Sequence, residues 1–140
     1  MPIDADAARL AKGSNLATVV TLMPDGQPQA QLTWIDTDGE NVLVNTEPVR
    51  QRGRNIRRDP RVTVLMHSQD PWDWAEVRGH VIETIDGQQA RDHIDELARR
   101  YVGHDYARPI GPAGRVIYVI KPDKINTPRS LGRRSAAKPA

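Results

Sequence analysis

The residues best suited to chemistry form an arginine-rich segment in the middle of the chain, where residues 50–61 contain six arginines and one aspartate. The segment directly follows an apolar strand pattern. Guanidinium groups present a planar set of donors that fits phosphate oxygens, and a helix start adds free backbone N–H groups and the positive end of the helix dipole. A strand that leads into such a turn predicts a site for a phosphorylated cofactor.

Part of this segment has a simpler interpretation, because a charge-rich helix usually just faces water. At about 100° per residue, Arg54, Arg57 and Arg61 project to one side of a short helix. Ile56 projects to the other side. These three arginines are therefore expected on the solvent face of the helix.

Arg50 and Arg52 are the stronger site candidates, because they lie at the turn itself. Pro48 and Gly53 are expected to disturb regular helix at this point. The two arginine side chains could then converge on one ligand.

Length and composition limit the remaining classes of protein. A chain of 140 residues can form one domain with a real core, but not two ordinary domains. The absence of cysteine excludes disulfides, thiolate metal sites and a cysteine nucleophile, and it fits a reducing compartment. No apolar run approaches the roughly 18 residues that span a membrane, and the first residues lack the pattern of a secretion signal. A soluble, cytoplasmic protein without a membrane partner is expected.

Basic charge is concentrated in two places, although the formal net charge is only +2. Besides the arginine-rich segment, residues 121–140 carry six basic residues against Asp123. A nucleic-acid surface usually spreads basic charge over a whole face, so this distribution favours a local anion site plus a basic tail. Residues 129–140 have almost nothing to bury and are expected to be disordered, which leaves residues 1–128 as a single domain.

Other kinds of active site find no support in the sequence. His67, His80, His93 and His104 lack the short spacing of a metal-ligand pair on one element, so no metal is expected. The chain has no nucleophile elbow, no Gly-rich phosphate loop and no Rossmann fingerprint. Hydrolase and kinase functions are therefore not indicated.

The region near the end of the last predicted helix contains groups that could donate a proton or form a lid, namely Tyr101, His104, Asp105 and Tyr106. Such loops also simply cap barrels. No catalytic residue is assigned from the sequence.

Strand patterns alternate with short helical patterns along the chain. Strands are predicted at residues 15–23, 29–35, 42–44, 61–67, 74–84 and 115–121, and helices at residues 4–12, between the turn and Pro60, and at residues 88–101. Asp4 and Asp86 are predicted N-caps of the first and last helices. The first three strands are expected to form an antiparallel meander, and Gly79 to mark a bulge or a close backbone approach.

Six or so mostly antiparallel strands with two or three helices predict a barrel or a partly opened barrel, because closure removes exposed strand edges. Side chains fill the interior of a small barrel. A flat cofactor must therefore bind outside it, or in a groove completed by a second subunit, and a homodimer is the expected assembly.

Each tryptophan is informative, because phenylalanine is absent. Trp72 and Trp74 are two residues apart, so both rings are expected on one face, where they could wall a planar heterocycle or fill a dimer interface or the core. Trp34 alternates with Ala30 and Leu32 and is expected in the core.

Taken in order, several segments resemble the pyridoxamine 5′-phosphate oxidase-like split barrels, particularly the branch that uses the deazaflavin coenzyme F420. The likeness covers roughly residues 16–125. It rests on the hairpin sequence Pro-Asp-Gly-Gln-Pro-Gln at residues 24–29. Four further stretches support it, at residues 50–62, 76–79, 97–103 and 115–117.

This resemblance implies a mainly β fold with inserted helices, an FMN-binding-type split β-barrel that forms a homodimer and binds a flavin or deazaflavin between its subunits. Arg50 and Arg52 match the basic positions at the cofactor phosphate, although related sequences often have lysine at the second position, which keeps the charge and changes the geometry. By the same matching, the other cofactor-binding residues are Gln51 and Asn55 near the phosphate, Asn45 and Thr46 near the ribityl chain, Gln29 and Gln31 beside the ring, and Trp72 and Trp74 from the other subunit.

The activity implied by the resemblance is that of an F420-dependent oxidoreductase, which transfers a hydride between the cofactor and an electron-poor small-molecule substrate. The same fold could instead hold FMN, since both cofactors carry a phosphate, or it could serve as a carrier that binds the cofactor without turnover. Nucleic-acid binding through the arginine-rich segment and the tail is a less favoured alternative. The substrate itself is not identified by the sequence, because pocket shape decides it.

Overall fold

A computed structural model describes residues 1–132, and residues 133–140 of the predicted basic tail lie outside the described residues. Within the described part, three helices and seven strands follow one another: α1 (Ala5–Lys12), β1 (Ala17–Leu22), β2 (Pro28–Thr33), β3 (Asp36–Thr37), β4 (Val42–Thr46), α2 (Gln51–Arg58), β5 (Arg61–His67), β6 (Trp74–Ile85), α3 (Gly87–Val102) and β7 (Val116–Asn126). The predicted succession is confirmed, with the short strand β3 as an addition.

All seven strands belong to one antiparallel sheet with the order β2-β1-β5-β6-β7-β4-β3. β2 and β3 are opposite edges of this sheet, yet only Trp34 and Ile35 separate them in the chain. Because so short a connection spans only about 10 Å, the sheet must curl until its edges approach each other. The result is a mainly β, curled half-barrel with three helices.

The predicted meander of the first three strands is only partly correct. β1 pairs with β2, but β4 pairs with β3 and β7 and not with β2. The reason lies in β7, whose residues 116–120 are all buried and require cover on both faces. β7 therefore occupies an inner position between β4 and β6, and β4 is drawn away from β2.

The core fills the inside of the curl. Val19, Val64 and Val77 on three neighbouring strands point into it, and Leu10 of α1 packs in the same buried cluster. α3 packs against the other face of β7, where Ala90 joins a second, smaller cluster. α1 thus packs on the inner face of the curled sheet, and α3 packs on the outer face of β7.

The helix ends largely follow the predictions. The Asp4 carboxylate accepts a hydrogen bond from the Ala7 N–H over 3.0 Å and caps α1 as expected. Asp86 is the N-cap residue of α3, as predicted, but its side chain forms no cap hydrogen bond. Gly103 ends α3 with a φ of 84°, a conformation that favours glycine. Among the described residues, no helix combines the length and the apolar character needed to cross a bilayer.

Two glycines allow close approach of backbone segments. A Cβ on Gly79 would lie 2.3 Å from the Lys121 carbonyl oxygen, and the β6–β7 register shifts beside it, as predicted. A Cβ on Gly53 would lie 2.5 Å from the Pro48 carbonyl oxygen. Gly53 lies inside regular helix, so the predicted disturbance of the helix is wrong. Its missing side chain lets α2 pack on the preceding loop.

β2 turns the opposite face inward from the one predicted. Ala30 and Leu32 are exposed on the outer surface, whereas Gln29 pairs with the buried Thr21 on the inner side. An edge strand with a polar inner face and an apolar outer face leaves Trp34, just beyond its end, half-buried and outside the core. The prediction of Trp34 as a core residue is therefore wrong.

Candidate functional site

Two buried arginines meet at one cavity of about 340 Å³, a size typical of small-molecule sites. The ends of β2 and β4, the start of α2, one turn of α3 and the segment before β7 supply its wall, which consists of Leu16, Leu32, Thr33, Trp34, Asn45, Arg50, Arg52, Ile94, Tyr106, Arg108 and Arg115. Three of the predicted cofactor-binding residues are among them, namely Asn45, Arg50 and Arg52.

Arg52 is only 9 % exposed, although it carries a full positive charge. Its Nε donates to Thr46 Oγ1 over 3.0 Å, and no carboxylate of residues 1–132 forms an ion pair with it. Burial, together with the positive charges of Arg50 and Arg115, lowers the pKa of Arg52 to about 10. A buried cation without a counter-charge costs free energy, so this arrangement points to an anionic ligand.

Thr46 is completely buried below Arg52 and does not line the cavity. Its hydroxyl contributes to the site through Arg52, which it orients from the core side. Thr46 thus contacts a cavity residue, Arg52, and its predicted contact with a cofactor stays a prediction.

Arg115 is the second buried guanidinium, at 7 % exposure. Its Nε donates to Asn45 Oδ1 over 2.9 Å and its Nη2 to the Asn45 carbonyl oxygen over 3.3 Å. The guanidinium carbon lies 5.1 Å from the centre of the Tyr106 ring, within the range of a cation–π contact. Burial lowers the pKa of Arg115, as it does that of Arg52.

Glu47 is the one carboxylate among the described residues that is ion-paired with these arginines. It lies 3.8 Å from Arg50 Nη2 and 3.7 Å from Arg115 Nη1. Four guanidinium groups line the cavity, so one carboxylate leaves an excess of positive charge. Because the wall is partly buried, this charge is less screened than it would be in water, and the cavity is suited to a phosphate or a similar anion.

An aromatic group lies at the cavity, where Trp34 and Tyr106 form part of the wall. Trp34 stacks on Tyr101 with 5.1 Å between ring centres and 10° between ring planes, and Tyr106 meets Trp34 edge-on at 6.3 Å. The Tyr101 hydroxyl accepts from the Ile35 N–H over 3.0 Å and donates to the Asn15 carbonyl oxygen. The rings are therefore anchored to the β2–β3 connection and can support a planar ligand.

Four other predicted residues do not reach the cavity. Asn55 is completely buried, and its Nδ2 donates to Thr21 Oγ1 over 3.0 Å and to Gln29 Oε1 over 3.2 Å. Gln51 Nε2 donates to Asn55 Oδ1 over 2.9 Å. These contacts join α2 to β1 and β2. Gln31 is exposed on the edge strand.

Trp72 and Trp74 lie away from the cavity of their own chain. Trp72 is exposed in the turn before β6, and Trp74 is the first residue of β6, paired with His67. The expected alternation does not include Trp72, because the strand begins only after a turn in which the Asp73 N–H donates to the Asp70 carbonyl oxygen. The assignment of the two tryptophans to the site of a second subunit stays a prediction.

The sequence prediction missed Arg115, Tyr106 and Arg108 as cavity residues. Arg115 borders five buried residues of β7, and a charged residue next to such an apolar run was the available signal. No residue of α3 was a predicted cofactor-binding residue, yet the helix places Ile94 in the cavity wall and His93 beside Asn45. Within residues 1–132, no three side chains of the metal-binding types come together as a candidate metal site.

Comparison with known proteins supports the fold. A family model described as "Pyridoxamine 5′-phosphate oxidase" matches residues 3–128. A solved structure described as "F420 Reductase" is 28 % identical, with a TM-score of 0.76, and the match covers 90 % of this chain and 98 % of that one. A conserved hypothetical protein from Mycobacterium tuberculosis is 25 % identical, with a TM-score of 0.70 over 100 % of this chain and 94 % of that one. The General Stress Protein 26 of Bacillus anthracis, at 20 % identity and a TM-score of 0.66 over 86 % of this chain and 88 % of that one, shares the fold.

Proposed function

Since this chain belongs to the pyridoxamine 5′-phosphate oxidase family, whose members bind flavins or deazaflavins, we propose that it is an oxidoreductase that uses coenzyme F420. The similarity to an F420 reductase supports the deazaflavin over FMN, which is the alternative cofactor. The excess of arginine at the cavity supports the same choice, because the acidic tail of F420 suits a basic rim better than a neutral one.

The observation that carries this proposal is the buried guanidinium of Arg52, which faces the cavity without a carboxylate partner in the described part of the chain. A bound phosphate would supply the missing counter-charge and accept several charge-assisted hydrogen bonds. Arg50 and Arg115 are its neighbours and would share the same anion. The donor set of this chain therefore fits the phosphate end of either cofactor.

The rest of the cavity fits a flat ring system. Leu16, Leu32 and Ile94 supply apolar surface and Trp34 an aromatic one, while Asn45 forms a polar part of the wall. When bound, the cofactor supplies a ring that takes up and releases hydride. The residues of the chain bind it, orient it and keep water away from it, which is the contribution expected of the protein in such enzymes.

A homodimer would complete this site. Leu32 and Leu65 both lie opposite Thr18 on the outer face of the sheet, and they are 67 % and 40 % exposed. Trp74 lies on the same outer face, two residues from the partner of Leu65. Exposed apolar surface next to a cavity is typical of an interaction surface, and we propose that a second copy of the chain packs there and brings its Trp72 and Trp74 to the cofactor.

The cofactor assignment is tested by titrating the purified, cofactor-free protein with F420 and with FMN. We expect F420 to bind more tightly. Arg50→Ala and Arg52→Ala should each weaken binding by about 1 to 3 kcal/mol, the range for a lost charge-assisted hydrogen bond, whereas Arg61→Ala, an equal charge change away from the cavity, should not. Unchanged binding by the Arg52 variant would contradict the site, and tighter FMN binding would favour the alternative cofactor.

Catalysis is separated from simple carriage by a second experiment. The protein is loaded with reduced F420 and offered a panel of enones and quinones. An oxidoreductase reoxidises the cofactor faster than free cofactor reacts with the same acceptors. A rate equal to that of the free cofactor for every acceptor would indicate a non-catalytic carrier.

A further inference from the structure

Four buried polar side chains form a hydrogen-bonded network at the cavity. Asp36 and His93 lie behind the cavity wall, and Asn45 and Arg115 are part of it. None of the four is more than 8 % exposed. His93 Nε2 lies 2.8 Å from Asp36 Oδ2, and His93 Nδ1 lies 3.1 Å from Asn45 Nδ2. Asn45 Oδ1 in turn accepts from Arg115 Nε over 2.9 Å. The proposed cofactor site is thus connected to a histidine that does not touch the cavity.

Elementary chemistry fixes the direction of each hydrogen bond in this network. Arg115 can only donate, so the Asn45 atom that faces it must be the amide oxygen. Asn45 Nδ2 also lies 2.9 Å from the Ala90 carbonyl oxygen, which can only accept. The amide therefore cannot be reversed. His93 Nδ1 must accept from Asn45, and the ring proton lies on Nε2, where it is donated to Asp36.

We infer that His93 is a positioning residue for the anion-binding cavity, whose neutral Nε2–H form holds the Asn45 amide and thereby fixes Arg115 in the wall. This inference rests on the proposed function only for the identity of the ligand. A second proton on His93 would place an N–H at Nδ1 against the Asn45 NH₂ group, so that two donors face each other. The Asn45 amide must then move, and Arg115 Nε loses its side-chain acceptor.

Some charged groups around His93 favour a positive charge on its ring, and others oppose it. Asp36 favours a cationic ring, but its carboxylate is shared with Lys12 Nζ of α1 at 2.9 Å and with Arg100 Nη2 of α3 at 3.5 Å. Arg115, behind the Asn45 amide, opposes a second positive charge. His93 also borders a groove whose carboxylates favour a positive charge on the ring. These are Asp38 after β3, Glu83 on β6, and Asp92 and Glu96 on α3. β4 and β7 present Leu43, Ile117 and Val119 to the same groove.

Two uncharged variants separate the contributions of the two ring nitrogens of His93. In His93→Asn, the side-chain oxygen can take the place of Nδ1 as acceptor for Asn45, but the bond to Asp36 is lost. In His93→Gln, the longer amide can reach Asp36 in place of Nε2, but Asn45 loses its acceptor. Neither side chain takes up a proton between about pH 5 and 8, the range in which histidine changes charge.

The first test needs no ligand and uses nitrogen-detected NMR of the full chain between about pH 5 and 8. We expect the His93 shifts to report the Nε2–H tautomer at high pH, and the Arg115 Nε–H signal to move with the same midpoint as His93. In His93→Asn the Arg115 signal should not move. An Arg115 signal that stays constant while His93 titrates, or a neutral ring with its proton on Nδ1, would overturn the inference. The wild-type measurement decides this even if a variant fails to fold.

The second test measures binding of F420 and of inorganic sulfate, an anion whose charge is constant over this range. We expect wild-type affinity for both to fall about tenfold on acidification, the loss expected for one charge-assisted hydrogen bond. His93→Asn should bind both anions with equal affinity at about pH 5 and about pH 8. His93→Gln should bind them weakly at both pH values. Equal pH dependence in wild type and His93→Asn would contradict the positioning role. Failure of F420 to bind at any pH, with the Arg115 signal still coupled to His93, would instead contradict the proposed function alone.

Discussion

Thr46 Oγ1 accepts a hydrogen bond from Arg52 Nε over 3.0 Å, between a residue that is fully buried and a guanidinium that faces the cavity. The hydroxyl offsets part of the cost of burying the positive charge and orients the rest of the guanidinium group outward. Thr46 thus helps to orient a guanidinium of the cavity wall, although it lies outside the cavity.

Thr46→Val tests this relationship, because valine has nearly the same volume and lacks the acceptor. We expect the free energy of unfolding to fall by about 1 to 3 kcal/mol, the cost of leaving a buried donor unsatisfied, and F420 affinity to fall several-fold. Urea denaturation and cofactor titration measure the two effects. Thr63→Val, at a half-buried threonine of β5, is the control. If both variants behaved alike, the hydrogen bond would have no special role.

Gly53→Ala should destabilise the protein, although alanine normally stabilises a helix interior by about 0.5 to 1 kcal/mol relative to glycine. The new Cβ would lie 2.5 Å from the Pro48 carbonyl oxygen and 3.1 Å from the Tyr118 hydroxyl. Overpacking of this kind costs about 1 to 3 kcal/mol. Because Arg52 is the adjacent residue, F420 affinity should fall as well.

Gly111→Ala is the matched control for Gly53→Ala. A Cβ at Gly111 would meet no atom within 4 Å, and its φ is not in the left-handed region. Thermal or urea unfolding should show a change within about 0.5 kcal/mol. A Gly53→Ala protein as stable as this control would show that α2 can move away from the loop without cost.

Stability should depend on Asp36 at low pH. Burial alone would raise the pKa of Asp36, but hydrogen bonds from His93 and Lys12 outweigh it and lower the pKa from 3.8 to about 2. The folded state therefore binds this proton less readily than the unfolded state. The stabilisation is present above about pH 4 and is lost as the pH falls towards 2. At 1.36 kcal/mol per pKa unit, it amounts to about 2 kcal/mol.

Urea unfolding of wild type and Asp36→Asn at several pH values checks this. The stability advantage of wild type should shrink by about 2 kcal/mol between about pH 6 and 2. Asp59 is the control, since its hydrogen bonds with Arg61 also lower its pKa to about 2 but it lies at the surface. Its effect should disappear in high salt, whereas that of Asp36 should remain. A pH-independent difference for Asp36→Asn would contradict the assignment.

The proposed dimer makes a separate prediction. Leu32→Lys combined with Leu65→Lys places two charges on the exposed apolar face of β2 and β5. Burying them in an interface would be costly, so light scattering should show a monomer that binds F420 weakly. Val102→Lys, at an exposed position ending α3, should remain dimeric. A wild-type protein that is monomeric at micromolar concentration would contradict the dimer.

Features set by local spacing could be predicted from the sequence. Arg54 and Arg57 are exposed and Ile56 is buried, as the helical projection indicated, whereas Arg61 is exposed on β5, after the helix has ended. Helix α2 ends before Pro60, which cannot continue a helix. These predictions succeeded because the period of a helix or strand determines which side chains share a face, whatever the rest of the chain does.

The predictions that failed needed information on which face is covered. β2 forms as expected, but its apolar side faces outward, and Trp34 lies at the cavity instead of in the core. β4 was expected beside β2 and lies beside β7 instead. Alternation is the same for both faces of a strand, so it cannot indicate which one packs inward or which strand pairs with it.

The sequence by itself determined the elements, their order and the presence of an arginine-rich turn suited to an anion, because these depend on neighbours within a few residues. Only the tertiary structure decided that Arg52 is buried without a carboxylate partner among residues 1–132, that Arg115 lines the same cavity and donates to Asn45, 70 residues away in the chain, and that His93 lies beside Asn45. Such contacts arise from strand pairing and from the curl of the sheet, which bring distant segments together by burying apolar surface and leave no periodic trace in the sequence.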